Sequence, residues 1–381
     1  MKILYAGTTP MPSFKASSIQ TMGTANGLAA ADVHVVVLAG RDPSQAAEAW
    51  AAEVAQHYSL HEGARVASFA RAPGRLAFHG RYLSAFLRLT KVERFDLVYT
   101  RSGLLAMLGL MRGMPVLLEV HDLPRRRVVA RVVGALTHRH RLFLGSPSRS
   151  LLRYWRRFLG AEPRMLRHIP HGTRDLTVPA DVDHASAMPV ERANGLAIGY
   201  VGSGRKGKGF ELVVRIAEEL PGERFTAVVS GAGSPSLRTP PNLTLYRDVA
   251  PPRVAAFYRS VDLLLLPIEK HTARGEHLPH ERQMVPLRAV EYLGAGVPII
   301  ASDLWPVKEA LQPTGAAIFR RPDDVPGWKE AILSVAHDAA LRERLGRNAA
   351  RAASEMYSWS SRAEAVKAIV RGDGRGGAAD A

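Results

Sequence analysis

Short apolar runs alternate with helical stretches along almost the whole chain, and that alternation limits the fold more than any other feature. In the first half the strand candidates are Lys2–Ala6, Val33–Leu38, Leu97–Thr100, Val116–Val120, Leu142–Gly145 and Leu166–Ile169. Helical patterns lie between them, as at Ser18–Ala30 and Arg149–Leu159. A second series opens at Leu196 and continues through Phe225–Ser230, Leu243–Tyr246, Leu263–Pro267, Pro298–Ala301 and Ala316–Phe319. Unbroken apolar runs of strand length, separated by helices, predict parallel sheets covered on both faces. A chain of 381 residues has room for two such domains, each with its own core. Thr173 to Asn194 is rich in Pro, Asp and Ala and weakly periodic, which reads as a linker. The expected plan is an N-terminal Rossmann-like domain over 1–175, a linker over 176–195 and a second Rossmann-like domain over 196–358. A final helix follows over 359–371, and the tail 372–381, GDGRGGAADA, is expected to be disordered.

Composition narrows the class. Hydrophobic residues at 46% and charged residues at 23% are the values of a soluble globular protein. There is no cysteine, which excludes disulfides, thiolate metal sites and cysteine nucleophiles. The opening MKILYAGTTP reads as a strand and turn, with too short an apolar run for a signal peptide. No apolar run is long enough to span a bilayer. The net charge of +16 is unevenly spread. Residues 1–175 hold 25 Lys and Arg against 11 Asp and Glu, whereas 176–381 hold 26 against 24. The basic residues concentrate between Arg65 and Lys91 and between Arg125 and Arg174. Such asymmetry predicts a polyanionic partner for the first half, or a solvated Arg-rich surface. Aromatics do not interleave with these arginines, so nucleic acid is not the expected partner.

Three segments carry chemistry. Gln283–Asp303, QMVPLRAVEYLGAGVPIIASD, reads as a loop, a short helix from Pro286 and a buried strand. The helix start at Pro286 offers the free N–H groups of Leu287 and Arg288 to a phosphate, and Glu291 can accept from a ribose diol. The second domain opens with LAIGYVGSGRKGKGFELVV, a strand, a basic glycine turn and a helix. Gly202, Ser203, Arg205 and Lys208 lie in a turn that can aim amides and cations at a diphosphate. Its spacing matches neither a Walker A loop nor GxGxxG, and no GxGxxG follows the first strand, which argues against a nicotinamide or flavin enzyme. VVSGAG brings Gly233 to the end of the next strand. In the first half, PVLLEVHD places His121 and Asp122 at a strand end, and LVYTRSG does the same for Arg101. Ligands of open α/β sheets bind at such carboxyl ends, although a histidine there also serves structure alone. No Asp-x-Asp pair or His/carboxylate cluster stands in a setting that suits a metal.

In order and spacing, these segments resemble the retaining glycosyltransferases of the large glycosyl transferases group 1 (family 4) type, from Lys2 to about Trp359. The resemblance implies an α/β GT-B fold, two Rossmann-like domains facing across a cleft, with the C-terminal helix returning to the N-terminal domain. It implies a nucleotide diphosphate sugar held by Gly202, Ser203, Arg205, Lys208, Gly233, Pro286, Leu287, Arg288 and Glu291. His121 and Gln283 then face the transferred sugar, with Gln283 where the family carries a glutamate. Lys15 and Ser17 stand where a Gly-Gly pair is usual and, with Arg101 and Asp122, are expected on the acceptor side. No cofactor and no metal are implied. The expected acceptor is a glycan or lipid-linked molecule of envelope or exopolysaccharide synthesis. The expected place is cytoplasmic, peripheral on the inner face of the cytoplasmic membrane and drawn there by the basic first half. A sugar-nucleotide epimerase on the same fold and a non-catalytic polyanion-binding protein are the alternatives.

Overall fold

A computed structural model describes residues 1–13, 15–121, 141–159, 166–173, 188–192, 196–230, 238–249, 251–269 and 285–371. The chain divides into two units, one made of Met1–Gly172 together with the chain from Trp359 onward, the other of Thr173–Ser358. Each is built on a parallel sheet.

In the first unit the elements are β1 (Lys2–Pro10), α1 (Ala16–Ala29), β2 (His34–Arg41), α2 (Ala47–His57), β3 (Ala64–Ala70), α3 (Arg75–Val92), β4 (Leu97–Thr100), α4 (Gly103–Met111), β5 (Val116–Glu119), β6 (Leu142–Ser146), α5 (Arg149–Leu159) and β7 (Leu166–His168). The sheet order is β3-β2-β1-β4-β5-β6-β7. Strands β4 and β5 are buried along their whole length, which is why apolar side chains fill them up to their last residues, Thr100 and Glu119. Strand β3 was not expected. It is the edge strand, and its pattern of one exposed and several half-buried positions breaks the apolar run.

The second unit runs through β8 (Ile198–Ser203), α6 (Phe210–Glu219), β9 (Phe225–Ser230), β10 (Leu243–Arg247), α7 (Pro251–Ser260), β11 (Leu263–Leu266), α8 (Leu287–Gly294), β12 (Ile299–Ser302), α9 (Trp305–Leu311), a short 3-10 turn (Gln312–Thr314), β13 (Ala317–Arg320), α10 (Val325–His337) and α11 (Ala339–Glu355). Its sheet order is β10-β9-β8-β11-β12-β13. Asp324 and Asp338 cap α10 and α11 through their side chains, accepting from Gly327 N at 3.0 Å and Leu341 N at 2.8 Å. Within the stretch read as a linker, Met188 is buried in the core of this unit and the Tyr246 hydroxyl donates to Pro189 O at 3.0 Å. Residues 174–187 and 193–195 lie outside the described residues, as does the tail 372–381.

The last helix, α12 (Trp359–Arg371), belongs to the first unit. Its first residue packs against α1, where a Cβ on Gly27 would lie 2.5 Å from Trp359 O and one on Gly23 would overlap the indole. Farther along, Ala363, Val366 and Ile369 join the core of the first unit. Both sheets reverse direction once, between β1 and β4 and between β8 and β11. The carboxyl ends of strands at such a reversal form a crevice where α/β proteins bind ligands.

Candidate active site

The expected donor residues gather at the reversal of the second sheet. Strand β8 ends at Ser203, and the chain then turns through Gly204–Gly209 into α6. Gly209 has φ +89, and a Cβ there would collide with Pro267 O just past β11. Only glycine lets the turn lie this close to the neighbouring strand end. Tyr200 of β8 and Arg288 and Tyr292 of α8 fix the turn. Arg288 donates from Nη1 to Val201 O at 2.6 Å and from Nη2 to Lys208 O at 3.2 Å. Its guanidinium also lies 5.4 Å from the centre of the Tyr200 ring. The Tyr200 hydroxyl donates to the same Lys208 carbonyl at 2.9 Å. Tyr292 accepts from Val201 N at 2.9 Å and sits 3.2 Å from the carbonyls of Val201 and Leu265. With two donors committed to carbonyls, Arg288 braces the turn whose outer face carries the exposed Arg205, Lys206 and Lys208. Partial burial, together with the charges of Arg288 and Arg205, lowers the Lys208 pKa.

Helix α8 starts at Leu287 with Pro286 as its N-cap, and Pro286 makes no side-chain capping bond. The Ala289 amide donates to Pro286 O at 3.0 Å, which leaves the amides of Leu287 and Arg288 as the first-turn donors a ligand could use. One turn on, Glu291 lies 3.4 Å from the Tyr258 hydroxyl. Burial pushes its carboxyl above the usual range, against the pull of Arg288. Gln283 and Gly233 lie outside the described residues.

In the first unit, Lys15 and Ser17 follow β1, Arg101 follows β4 and His121 follows β5, three adjacent strands of the sheet. Lys15 is the exposed N-cap of α1, and Ser17 accepts from Thr9 Oγ1 at 3.2 Å. Asp122 lies outside the described residues. Arg101 and His121 meet on Glu119, whose oxygens lie 3.5 Å from Arg101 Nη2 and 3.2 Å from His121 Nε2. Glu119 is fully buried, and it is paired with an equally buried arginine, Arg362 of α12. Arg362 Nη2 bonds both Glu119 oxygens at 2.9 Å and Tyr99 Oη at 2.7 Å. Its Nε donates to Thr24 Oγ1 at 2.8 Å, and Nη1 donates to Ile169 O at 3.1 Å and Pro170 O at 2.6 Å. Burial alone would raise the Glu119 pKa; the charges of Arg362 and Arg101 overturn that and hold it well below the carboxylate range. His171, buried beside the pair, is pushed down to about 3 by burial and then by Arg362.

Glu119 and Arg362 were not among the residues expected to form the site. A signal was present: VLLEV carries an acid inside a buried strand, and Arg362 lies on the apolar face of α12 with Ala363, Val366 and Ile369. A charge on each buried face implies that the two are paired. Among the described residues, no group of three or more His, Asp or Glu is placed to hold a metal ion, and no helix is long and apolar enough to cross a membrane.

Comparison with known proteins bears on the family and the fold. Residues 18–174 match the family described as Glycosyltransferase Family 4, and residues 195–338 match Glycosyl transferases group 1. Over 214 residues the chain is 29% identical to a D-inositol 3-phosphate glycosyltransferase of Mycobacteroides abscessus, a match covering 50% of this chain and 43% of that protein. The chain thus spans less than half the length of that relative. The structure resembles sucrose-phosphate synthase from Thermosynechococcus elongatus with TM-score 0.69 and 18% identity, over 97% of this chain and 98% of that one. It resembles Anabaena HepE, solved in complex with UDP, with TM-score 0.66 and 14% identity, over 98% of this chain and all of that one. HepE has also been solved with UDP-glucose. With both halves matched and the two-sheet architecture shared, the chain belongs to the glycosyl transferases group 1 family and carries the GT-B fold.

Proposed function

We propose that this protein is a retaining glycosyltransferase that moves a sugar from a nucleotide diphosphate sugar to a glycan or lipid-linked acceptor. The observation that carries this reading is the braced turn of the second unit. It holds Lys208 and the α8 N-terminus at one sheet reversal, with Glu291 one turn along α8. A diphosphate needs cations and free amides converging, and a ribose diol needs a nearby carboxyl acceptor. The same fold in HepE is seen with UDP and UDP-glucose. On this reading the acceptor oxygen attacks the anomeric carbon from the face the diphosphate leaves. The bond from that carbon to the diphosphate oxygen breaks, and a donor phosphate oxygen takes the acceptor proton. Lys208, Arg205 and the α8 amides stabilise the departing charge, and no metal is required. His121, Arg101, Lys15 and Ser17 serve the sugar and acceptor from the first unit. Gln283 hydrogen-bonds the transferred sugar and cannot act as a carboxylate nucleophile.

The experiment is incubation with a panel of nucleotide sugars in the absence of acceptor, with and without EDTA. Slow, EDTA-insensitive release of free nucleotide is expected from the matching donor. Conversion to an epimer would replace the transferase reading, and a requirement for divalent metal would remove its metal-independent part.

A further inference from the structure

Arg101 has a fixed backbone and a side chain with little to hold it. Thr100 Oγ1 donates to Ala6 O at 2.9 Å and accepts from Ser102 N at 3.0 Å. Ser102 Oγ in turn accepts from Leu105 N at 3.5 Å and caps α4. Between these two pinned neighbours, the Arg101 guanidinium is left without hydrogen bonds at Nε and Nη2, both of which are buried. Its ionic contact, Nη2 to Glu119 Oε2 at 3.5 Å, is well beyond the roughly 2.7–2.9 Å of a guanidinium bonded to a carboxylate. The reason lies in the carboxylate. Oε2 accepts from Tyr99 Oη at 2.5 Å, and Arg362 Nη2 lies 2.9 Å from both oxygens. Glu119 is thus occupied by β4 and α12 before Arg101 reaches it. Two arginines share one carboxylate, and among the described residues no other acid is paired with either of them. One positive charge is left over in a largely buried corner, a state that calls for a counter-charge. The Arg101 side chain keeps 25% exposure, whereas those of Glu119 and Arg362 keep none, so the surplus charge belongs to the member a ligand can reach. It stands just past β4, at the reversal of the first sheet, where α/β proteins bind ligands.

We propose that Arg101 binds an anionic group of the acceptor, a phosphate ester or a carboxylate, and so selects acceptors that carry one. The inference rests on the acceptor-side role given to Arg101 in the proposed reaction. Binding at Nε or Nη2 breaks no existing hydrogen bond, and a planar guanidinium can turn unused donors to two oxygens of one anion. Glu119, already filled by Arg362 and Tyr99, holds the arginine at the strand end by charge and leaves its donors to the ligand. A neutral sugar hydroxyl could accept one bond but would leave the charge uncompensated, and that difference is the selectivity.

The test follows backbone amide shifts of the full-length protein by NMR as inorganic phosphate or, separately, acetate is added. Shifts are expected at Arg101, Ser102 and Val120, distinct from those at the Gly204–Gly209 turn, where phosphate also has a place. Arg101→Gln should remove the first set and spare the second. Saturation by phosphate rather than acetate assigns a phosphate ester, and the reverse assigns a carboxylate. No shift around Arg101 with either anion, or the same shifts in Arg101→Gln, overturns the proposal. Glu119 keeps Arg362 and Tyr99 in that variant, so the fold should survive; if it does not, the wild-type shifts decide alone. Transfer supplies the second arm, with monosaccharides offered in matched pairs, one member neutral and the other carrying the favoured anionic group. Wild type should prefer the anionic member by tenfold or more in kcat/KM, mainly through KM, and Arg101→Gln should level the two. Equal use of both by wild type overturns the selectivity. Acceptor-free hydrolysis of nucleotide sugars keeps this proposal apart from the transferase reading. Anion binding at Arg101 with no hydrolysis of any donor removes that reading alone, and hydrolysis with no anion binding removes this proposal alone.

Discussion

Gly202 shows how the donor side places demands on single residues. A Cβ there would lie 2.6 Å from Arg288 Nη1 and overlap the Tyr200 hydroxyl. Gly202→Ala should therefore displace the arginine that braces the turn, and Arg288→Ala should have the same effect from the other side. Each removes charge-assisted bonds of about 1.5–3 kcal/mol, so donor affinity should fall by tenfold or more, read by calorimetric titration with the fold intact by circular dichroism. On the proposed donor assignment Lys208→Ala and Glu291→Ala remove ligand contacts and should abolish transfer; near-wild-type turnover in both would remove that assignment. The pH dependence should show the same two groups. The Glu291 pKa is raised, so its ionised form is lost at a higher pH than for an ordinary carboxyl. The Lys208 pKa is lowered, so its charge is lost at a lower pH than for an ordinary lysine. The plot of kcat/KM against pH should be narrowed from both sides, and Glu291→Gln should erase its acid limb. A Gln283→Glu variant should keep the stereochemical course. Inverted product from it or from wild type would end the retaining assignment.

Elements separate what sequence could show from what it could not. Strands such as Leu263–Leu266 are buried at every position, so their side chains spell the fold directly. The places of Lys208, Glu291, Arg101 and His121 in the fold were legible for a related reason: each lies in the turn just past such a run or on the first turns of a helix near one. Edge strand β3 was not, because half-buried positions leave no clean period. The bracing by Tyr200 and Tyr292 was hidden too, and the partnership of Glu119 with Arg362 showed only as one charge on each of two buried faces. They join residues up to 243 positions apart, so no local pattern says which residue meets which. Helix α12 carries the consequence. Arg362→Met would strand a buried carboxylate, which costs about 3–5 kcal/mol, and chemical denaturation should show the loss. The same corner should be acid-sensitive. His171 has a folded pKa of about 3, below its unfolded value, so between those values the unfolded chain holds the extra proton. Its stabilising effect is complete above the unfolded pKa and is lost as pH falls. Between pH 7 and about 5 the loss should approach roughly 2 kcal/mol, before carboxylates contribute. His171→Gln should flatten that slope; an unchanged slope would show that the ring is not held neutral.

At the scale of the whole molecule, charge is the property that local structure does not explain. The excess of basic residues lies in 1–175, while 176–381 is nearly balanced. Of the two basic stretches, Arg65–Lys91 takes in nearly all of helix α3, and Arg125–Arg174 lies in part outside the described residues. Helix α3 turns Tyr82, Ala85 and Phe86 inward and leaves Leu76, Leu87 and Val92 exposed among Arg81, Arg88 and Lys91. Nearby α4 exposes Leu104, Met107 and Met111, and Arg112 at its end donates to Thr90 O of α3 at 3.2 Å. Exposed apolar side chains interleaved with cations are the chemistry of a helix that rests on an anionic leaflet. Each Lys or Arg near such a surface adds about 1 kcal/mol, and shallow apolar insertion adds to it. A lipid-linked acceptor would then be met where the protein already sits. Co-sedimentation with vesicles decides the matter. Binding to anionic vesicles is expected, with little to zwitterionic ones, and it should fall as salt shortens the screening length from about 10 Å at 0.1 M to about 3 Å at 1 M. Leu87→Ser with Val92→Ser should weaken binding without changing donor hydrolysis, since neither residue lies in the proposed site. Equal, salt-insensitive recovery in the supernatant with both lipids would end the membrane reading, leaving the arginines a role in solubility and the acceptor a soluble glycan.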